Sequence, residues 1–180
     1  MLGDNLFFQT IQTYLNDPAV KYGFARTNDL KRVLESETGI NFTDFFNQWY
    51  TGEGYPSYHV EWAPVGGTHV YFKISQTTSH SSVPFYKMPV PVRFSNGTQD
   101  TTYIVNNTSN NQLFSFQINF IPTAAQFDPT LRIISRNNTV VQVDPSTLPI
   151  TQINLTGTVQ NENAQLQWTT NAEFNSQQFI

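Results

Sequence analysis

Residues 41–65, NFTDFFNQWYTGEGYPSYHVEWAPV, decide how this chain is read, because the hydrophobic period changes within them. Up to Trp49 the large apolar side chains recur three and four residues apart. Phe42, Phe45, Phe46 and Trp49 then share one wide aromatic stripe on a helix. From Tyr55 onward apolar and polar positions alternate, and Gly, Pro and Asn punctuate runs rich in Val, Ile, Tyr, Phe and Thr, as strands require. The reading is α+β: a short all-α segment followed by an antiparallel β-sandwich.

Toward the N-terminus, Leu6, Phe7, Ile11, Tyr14 and Leu15 line one face of a helix over about Asp4 to Leu15, which Asp17-Pro18 closes. A second helix opens at Thr27, whose hydroxyl is placed to cap NDLKRVLESE. It presents Leu30, Val33 and Leu34 to one side and stops at Gly39. The third starts near Asn41 or Thr43. Each of its four aromatics contributes about 1.5–3 kcal/mol if buried, so the stripe calls for a large partner surface. Three such short helices rarely form a self-sufficient domain.

Toward the C-terminus, strands are expected at Tyr58–Trp62 and His69–Ser75, joined through APVGG, then at Phe85–Phe94, Thr101–Val105, Leu113–Phe120, Leu131–Ser135 and Val140–Val143. Seven strands suit a small antiparallel sandwich. Pro89 and Pro91 donate no ladder hydrogen bond, so their strand should lie at an edge or carry a bulge. After Asp144, PSTLPIT reads as a linker, and two further strands follow with a turn at Gln160 to Asn163. The expected blocks are residues 1–54, 55–144 and 145–180.

Composition narrows the function classes. The 180 residues are 38% hydrophobic, enough for a core, but only 12% charged with a net charge of -4, which offers no positive face to nucleic acid. No apolar run approaches the roughly 20 residues needed to span a bilayer, and the acidic start MLGDNLFF does not read as a signal peptide. With no cysteine, disulfides, thiolate zinc sites and a cysteine nucleophile are excluded, while the compartment stays open.

The succession LGDNLFFQTIQTYL, a helix opening TNDL, GINFTDFFNQWY, and GYP leading into a strand resembles the closing part of an aminopeptidase N-like zinc metallopeptidase of the gluzincin family. In that family the last helices of a thermolysin-like catalytic domain, ending in a Phe-Phe-x-x-Trp stripe, pass through Gly-x-Pro into a small β-sandwich. Phe45, Phe46, Trp49, Gly54 and Pro56 fill those positions here, and Gln126-Phe127-Asp128-Pro129 followed by LRII resembles the closing strand of that sandwich. The resemblance covers about residues 2 to 143 and rests on packing signatures. The tail NAQLQWTTNAEFNSQQF is similar to the opening of a fibronectin-like module that precedes the secretion tail in proteins exported by Bacteroidetes.

The resemblance implies a parent that removes N-terminal residues from peptides, is secreted or held at the cell surface, and holds zinc through an H-E-x-x-H helix and a downstream glutamate. Neither that motif nor the family's Gly-x-Met-x-Asn strand occurs in this sequence, so no catalytic residue, zinc ligand or cofactor is expected in this chain. Met1 is expected to fall a short way beyond the oxyanion-stabilising tyrosine. The piece would support the catalytic domain upstream in the same polypeptide, with Phe42, Phe45, Phe46 and Trp49 backing the helical lobe and Gly54 and Pro56 turning into the sandwich. Stripped of that lobe, the helix faces around Phe7, Ile11, Phe45 and Phe46 are expected to drive self-association.

Other constellations carry weaker chemistry. His59, His69 and His80 have no ligand spacing and read as ordinary sheet or surface histidines, and Ser79-His80-Ser81 reads as a polar turn. Asp128 and Asp144 each precede proline and mark turns rather than a carboxylate pair. Glycosylation patterns at Asn41, Asn96, Asn137 and Asn154 are what chance gives in so Asn- and Thr-rich a chain. Tyr55, Tyr58, Trp62, Tyr71 and Tyr86 form either a sandwich core or, in an alternative function, a carbohydrate-binding platform. A spacer role is a further alternative.

Overall fold

The computed structural model describes residues 2–67, 69–148, 153–160 and 163–170. Three helices come first: α1 (Asp4–Asn16), α2 (Thr27–Thr38) and α3 (Thr43–Phe46), the last running directly into a π-helical turn over Asn47–Thr51. Helices α1 and α2 pack on each other around Thr10, Val20, Val33 and Leu34, all buried. The Thr10 hydroxyl, which has no water to meet, donates to the Leu6 carbonyl one turn back at 2.7 Å. Arg32 of α2 pairs with Asp17 beyond the end of α1, and that hydrogen bond holds the Asp17 carboxyl below the ordinary carboxylate range.

The start of α2 differs from the sequence expectation. Arg26 is the extended cap residue and Thr27 is already helical, so the Thr27 hydroxyl does not serve as the cap. The Asp29 carboxylate, three residues past the cap, instead accepts the Arg26 backbone N–H at 2.8 Å. The other end is as expected: Gly39 takes the left-handed conformation, φ 68°, and its N–H closes on the Glu35 carbonyl.

The β-region forms two sheets face to face. The first holds β1 (Pro56–Val65), β2 (His69–Thr78), β5 (Gln112–Gln117) and β7 (Thr139–Gln142) in the order β5-β2-β1-β7. The second holds β3 (Met88–Ser95), β4 (Asp100–Asn107) and β6 (Ala124–Phe127) in the order β4-β3-β6. Alternate residues of β1 and β2, namely Tyr58, Val60, Trp62, Val70, Phe72 and Ile74, meet Val90, Val92, Phe94 and Val105 across the gap. Phe72 stacks on Phe114 at 5.3 Å between ring centroids and tilts against Phe94 at the same distance. The sandwich expectation therefore holds, with one departure from antiparallel order: β7 runs parallel to β1.

Two strand expectations need correction. Residues 131–135 are not a strand. Asp128 and Leu131 sit in the left-handed region, φ 42° and 52°, and the buried Asp128 carboxylate folds the loop back by accepting the Arg132 and Ile133 N–H groups at 3.0 and 2.7 Å. The seventh strand lies just before it, at β6. The proline-bearing β3 is not a plain edge strand either, since it pairs with β4 along its whole length and with β6 over Val92–Ser95. In an antiparallel ladder a residue's N–H and C=O point the same way, and the Pro91 carbonyl accepts the Asp128 N–H at 2.9 Å. Period two then places the nitrogens of Pro89 and Pro91 on the β6 side, beyond the Val92–Ser95 stretch that β6 pairs, and the Asp128 carbonyl takes the Leu131 N–H instead. The missing donors fall where no ladder partner needs them.

The segment after β7 begins packed. Asp144 caps a 3-10 turn over Pro145–Thr147, and Leu148 is buried with Ala63 and Tyr71 on the outer face of the four-stranded sheet. Strands β8 (Ile153–Gln160) and β9 (Asn163–Thr170) pair antiparallel, as expected. The rest of the expected linker, the turn residues between these strands and the fibronectin-like continuation beyond Thr170 lie outside the described residues.

Tyr58 is the least comfortable member of the core. Its ring stacks on Phe127 at 4.8 Å, yet its hydroxyl is buried without a hydrogen-bond partner among the described residues. Burial first, and the Asp128 charge second, push its phenol well above the ordinary value of 10.0. The neutral phenol's contribution is fully present below about pH 10 and is lost as pH rises through the raised folded value. Tyr58→Phe should therefore raise the unfolding free energy by about 1 kcal/mol at neutral pH in urea titrations. Above about pH 10 its midpoint should fall less steeply than that of the wild type.

Candidate functional site at the helix–sandwich junction

Some of the residues expected to support a neighbouring domain lie where the π turn meets the sandwich. A π turn advances less per residue around the axis than an α turn does, so Trp49 leaves the stripe that the 3.6-residue period draws through Phe42, Phe45 and Phe46. Trp49 turns onto Tyr86, centroids 4.6 Å apart, while Phe42, Phe45, Phe46 and Tyr50 form an edge-to-face series along the helix. Phe42 and Phe46 are half-buried and Phe45 is 46% exposed.

Gly54 and Pro56 are both at the junction. Gly54 has φ 97°, and a Cβ there would stand 2.6 Å from the Ser79 hydroxyl oxygen and 2.9 Å from the His80 Cβ. The same approach lets Ser79 Oγ accept the Tyr55 N–H at 2.8 Å. Pro56, fully buried, opens β1 and offers its carbonyl to the Arg136 N–H. Of the six support residues, Trp49 and Gly54 meet the 79–87 loop and Pro56 lies next to it in β1, paired with Thr78, whereas the three phenylalanines contact one another along the helix.

Sequence reasoning missed the partners that make this contact. Gly52 is as constrained as Gly54, because a Cβ there would lie 2.3 Å from Val83 Cγ2. Ser82 Oγ accepts the Glu53 N–H at 2.9 Å, and the Tyr86 hydroxyl donates to the Glu53 carbonyl at 3.1 Å. Gln48 Oε1 accepts the Lys87 N–H at 3.0 Å, and the Lys87 ammonium meets Asp44 at 2.7 Å. Underneath, the buried Gln76 carboxamide donates to the Tyr86 carbonyl at 3.0 Å and accepts the Tyr86 N–H at 2.8 Å, so one side chain does what a neighbouring strand would do. Asn110 does the same for the backbone of Gln76. The one legible signal was the apolar group Val83, Phe85 and Tyr86 interrupting the polar run TTSHSS.

Packing and hydrogen bonds tie the π turn to the 79–87 loop. His80 Nδ1 lies 2.9 Å from Ser82 Oγ and Nε2 lies 3.6 Å from Glu53, but all three are exposed and the serine oxygen is already engaged by the Glu53 N–H. His59 contacts Thr139 and Glu61, on another part of the sheet. Among the described residues no three His, Cys, Asp or Glu side chains come together as a candidate metal site. The open groove of about 580 Å³ between α1 and α2 is walled by polar side chains such as Gln9, Gln12 and Ser36, with Arg32 already paired to Asp17. Tyr58, Trp62, Tyr71 and Tyr86 are all buried, and Tyr55 is half-buried, so these rings build the core and do not offer a sugar-binding platform.

No family model matches the chain, and no curated protein matches it. No described helix is long and apolar enough to cross a membrane.

The junction predicts a specific hierarchy. Trp49→Ala should cost ~3 kcal/mol by removing the ring from Tyr86, read as a lower melting temperature. Gly54→Ala should cost about 1–3 kcal/mol from backbone strain alone, with the Ser79 clash in addition. Phe45→Ala, at an exposed position in the isolated chain, should change stability by no more than roughly 0.5 kcal/mol.

Proposed function

We propose that this chain is a non-catalytic support segment at the end of an aminopeptidase N-like zinc metallopeptidase that trims N-terminal residues from peptides. The observation that carries the reading is the uneven exposure of apolar side chains. Eight of the thirteen large hydrophobics that stand exposed among the described residues, including Phe7, Phe8, Phe45 and Tyr50, precede Thr51. The helical part is therefore short of a partner, whereas the sandwich has closed its own core. A helical lobe upstream in the same polypeptide fits that deficit, and the sequence resemblance of LGDNLFF, FFNQW and GYP points to the same place.

On this reading, zinc and the groups that activate water belong to the upstream domain. This chain contributes rigidity: the π turn locked to the 79–87 loop fixes the angle at which the helices meet that domain, and so preorganises it without touching substrate. Secretion rests on the tail's likeness to exported proteins. A carbohydrate-binding role has lost its platform to the core, and a pure spacer role leaves the apolar helix faces unexplained.

The natural reading frame upstream of Met1 tests the proposal. It should encode H-E-x-x-H, a downstream glutamate and a tyrosine just before LGDNLFF, and the polypeptide that includes them should cleave leucine p-nitroanilide with an activity abolished by a chelator and restored by zinc. A frame without those residues, or a full-length protein without zinc-dependent cleavage, overturns it.

A further inference from the structure

We infer that the free edge of β4 is a pairing surface for a second copy of this chain, joining two three-stranded sheets into one of six strands about a two-fold axis at Ile104. Strand β4 is bonded on one side to β3, and among the described residues no strand pairs with its other side. An unpaired edge presents a row of N–H and C=O groups that another strand can complete.

The other edges of the sandwich are protected or short. The edge of β5 is closed at one end by the Tyr103 hydroxyl, which donates to the Gln117 carbonyl at 2.6 Å, while β6 and β7 have four residues each. Strand β4 has eight, DTTYIVNN, with no proline, lysine or bulge to discourage pairing. Its one charge, Asp100, is neutralised within the chain by Arg93 at 3.0 Å.

The occupant follows from the pattern of faces. Thr102, Ile104 and Asn106 point outward and are exposed, whereas Val105 is buried and Tyr103 half-buried. Opposed residues in an antiparallel pair point to the same face, so a two-fold normal to the sheet must set outward positions against outward positions. Centred on Ile104, 64% exposed, the axis places it against Ile104 of the second copy. Thr102 then meets Asn106 and Tyr103 meets Val105, and no like charges face each other. Centring one pleat either way on the outer face would set Ile104 beyond an apolar counterpart. The surface is separate from the helix faces of the proposed function and does not depend on that reading.

The absence of native cysteine makes a cross-linking test clean. Residues paired across an antiparallel ladder have Cα atoms about 4.5–5.5 Å apart, within disulfide range. Ile104→Cys should oxidise to a covalent dimer roughly tenfold faster or more than Ile121→Cys, a similarly exposed control, because the thiols are held at high effective concentration. Thr102→Cys should behave like the control. Light scattering should give a dimer for the wild type and a monomer for Ile104→Lys, with unchanged far-UV circular dichroism. A monomeric wild type, equal cross-linking at Ile104 and Ile121, or a dimer that survives Ile104→Lys would each overturn the inference, the last by assigning association to the helix faces.

Discussion

At the end of β2 the Gln76 side chain, 4% exposed, gives its carboxamide to both backbone groups of Tyr86 while also donating to Asn107 at 3.1 Å. Unpaired, those groups would each cost about 1–3 kcal/mol in a site without water. Paired, they fix the 79–87 loop against the sandwich, and that loop carries every contact described here between the π turn and the sheets. Tyr86 reaches Trp49 and the Glu53 carbonyl, Ser79 and Ser82 take the N–H groups of Tyr55 and Glu53, and Val83 fills the space that Gly52 leaves. Remove the carboxamide and the helices lose their anchor although none of their own residues has changed.

That anchor explains a chain whose two halves differ in completeness. The sandwich buries Phe72, Phe94, Val60, Val90 and Val92 to zero exposure and sets the donorless positions of its proline-bearing strand beyond the stretch that β6 pairs. The helices hold to each other through few buried side chains. They reach α3 through polar contacts, Lys31 to Thr43 at 2.7 Å and the Phe42 N–H to Glu35 at 2.9 Å. Such contacts set orientation more than they supply stability. Exposed aromatic rings remain along this half of the chain, among them Phe8, Phe24 and Tyr50.

How much of this was legible in the sequence depends on how local the cause is. The period change between Trp49 and Tyr55, the Asp17-Pro18 and Gly39 stops and the alternation in β1 and β2 arise within a few residues, and each is where the sequence places it. Expectations failed where a distant or unusual contact decided the outcome. Residues 131–135 have strand composition, but a buried carboxylate at Asp128 captures their N–H groups first. Val140 and Val141 join a sheet as expected, but parallel to β1, a choice of direction that no local pattern encodes. The aromatic stripe is correct as a list of residues and incomplete as geometry, because a single π turn moves Trp49 away from it.

The sequence by itself determined the α+β class, the place where helix gives way to strand, the alternation that builds the core, and the absence of cysteine chemistry, since each follows from residue type and spacing. Only the tertiary structure decided that Trp49 faces Tyr86, that Gly52 is as constrained as Gly54, that the candidate sugar-binding rings are core, and that β4 is left with an open edge. Those outcomes depend on which segments, far apart in the chain, arrive within hydrogen-bonding or van der Waals distance of one another. Spacing along a chain carries no information about that until the chain has folded.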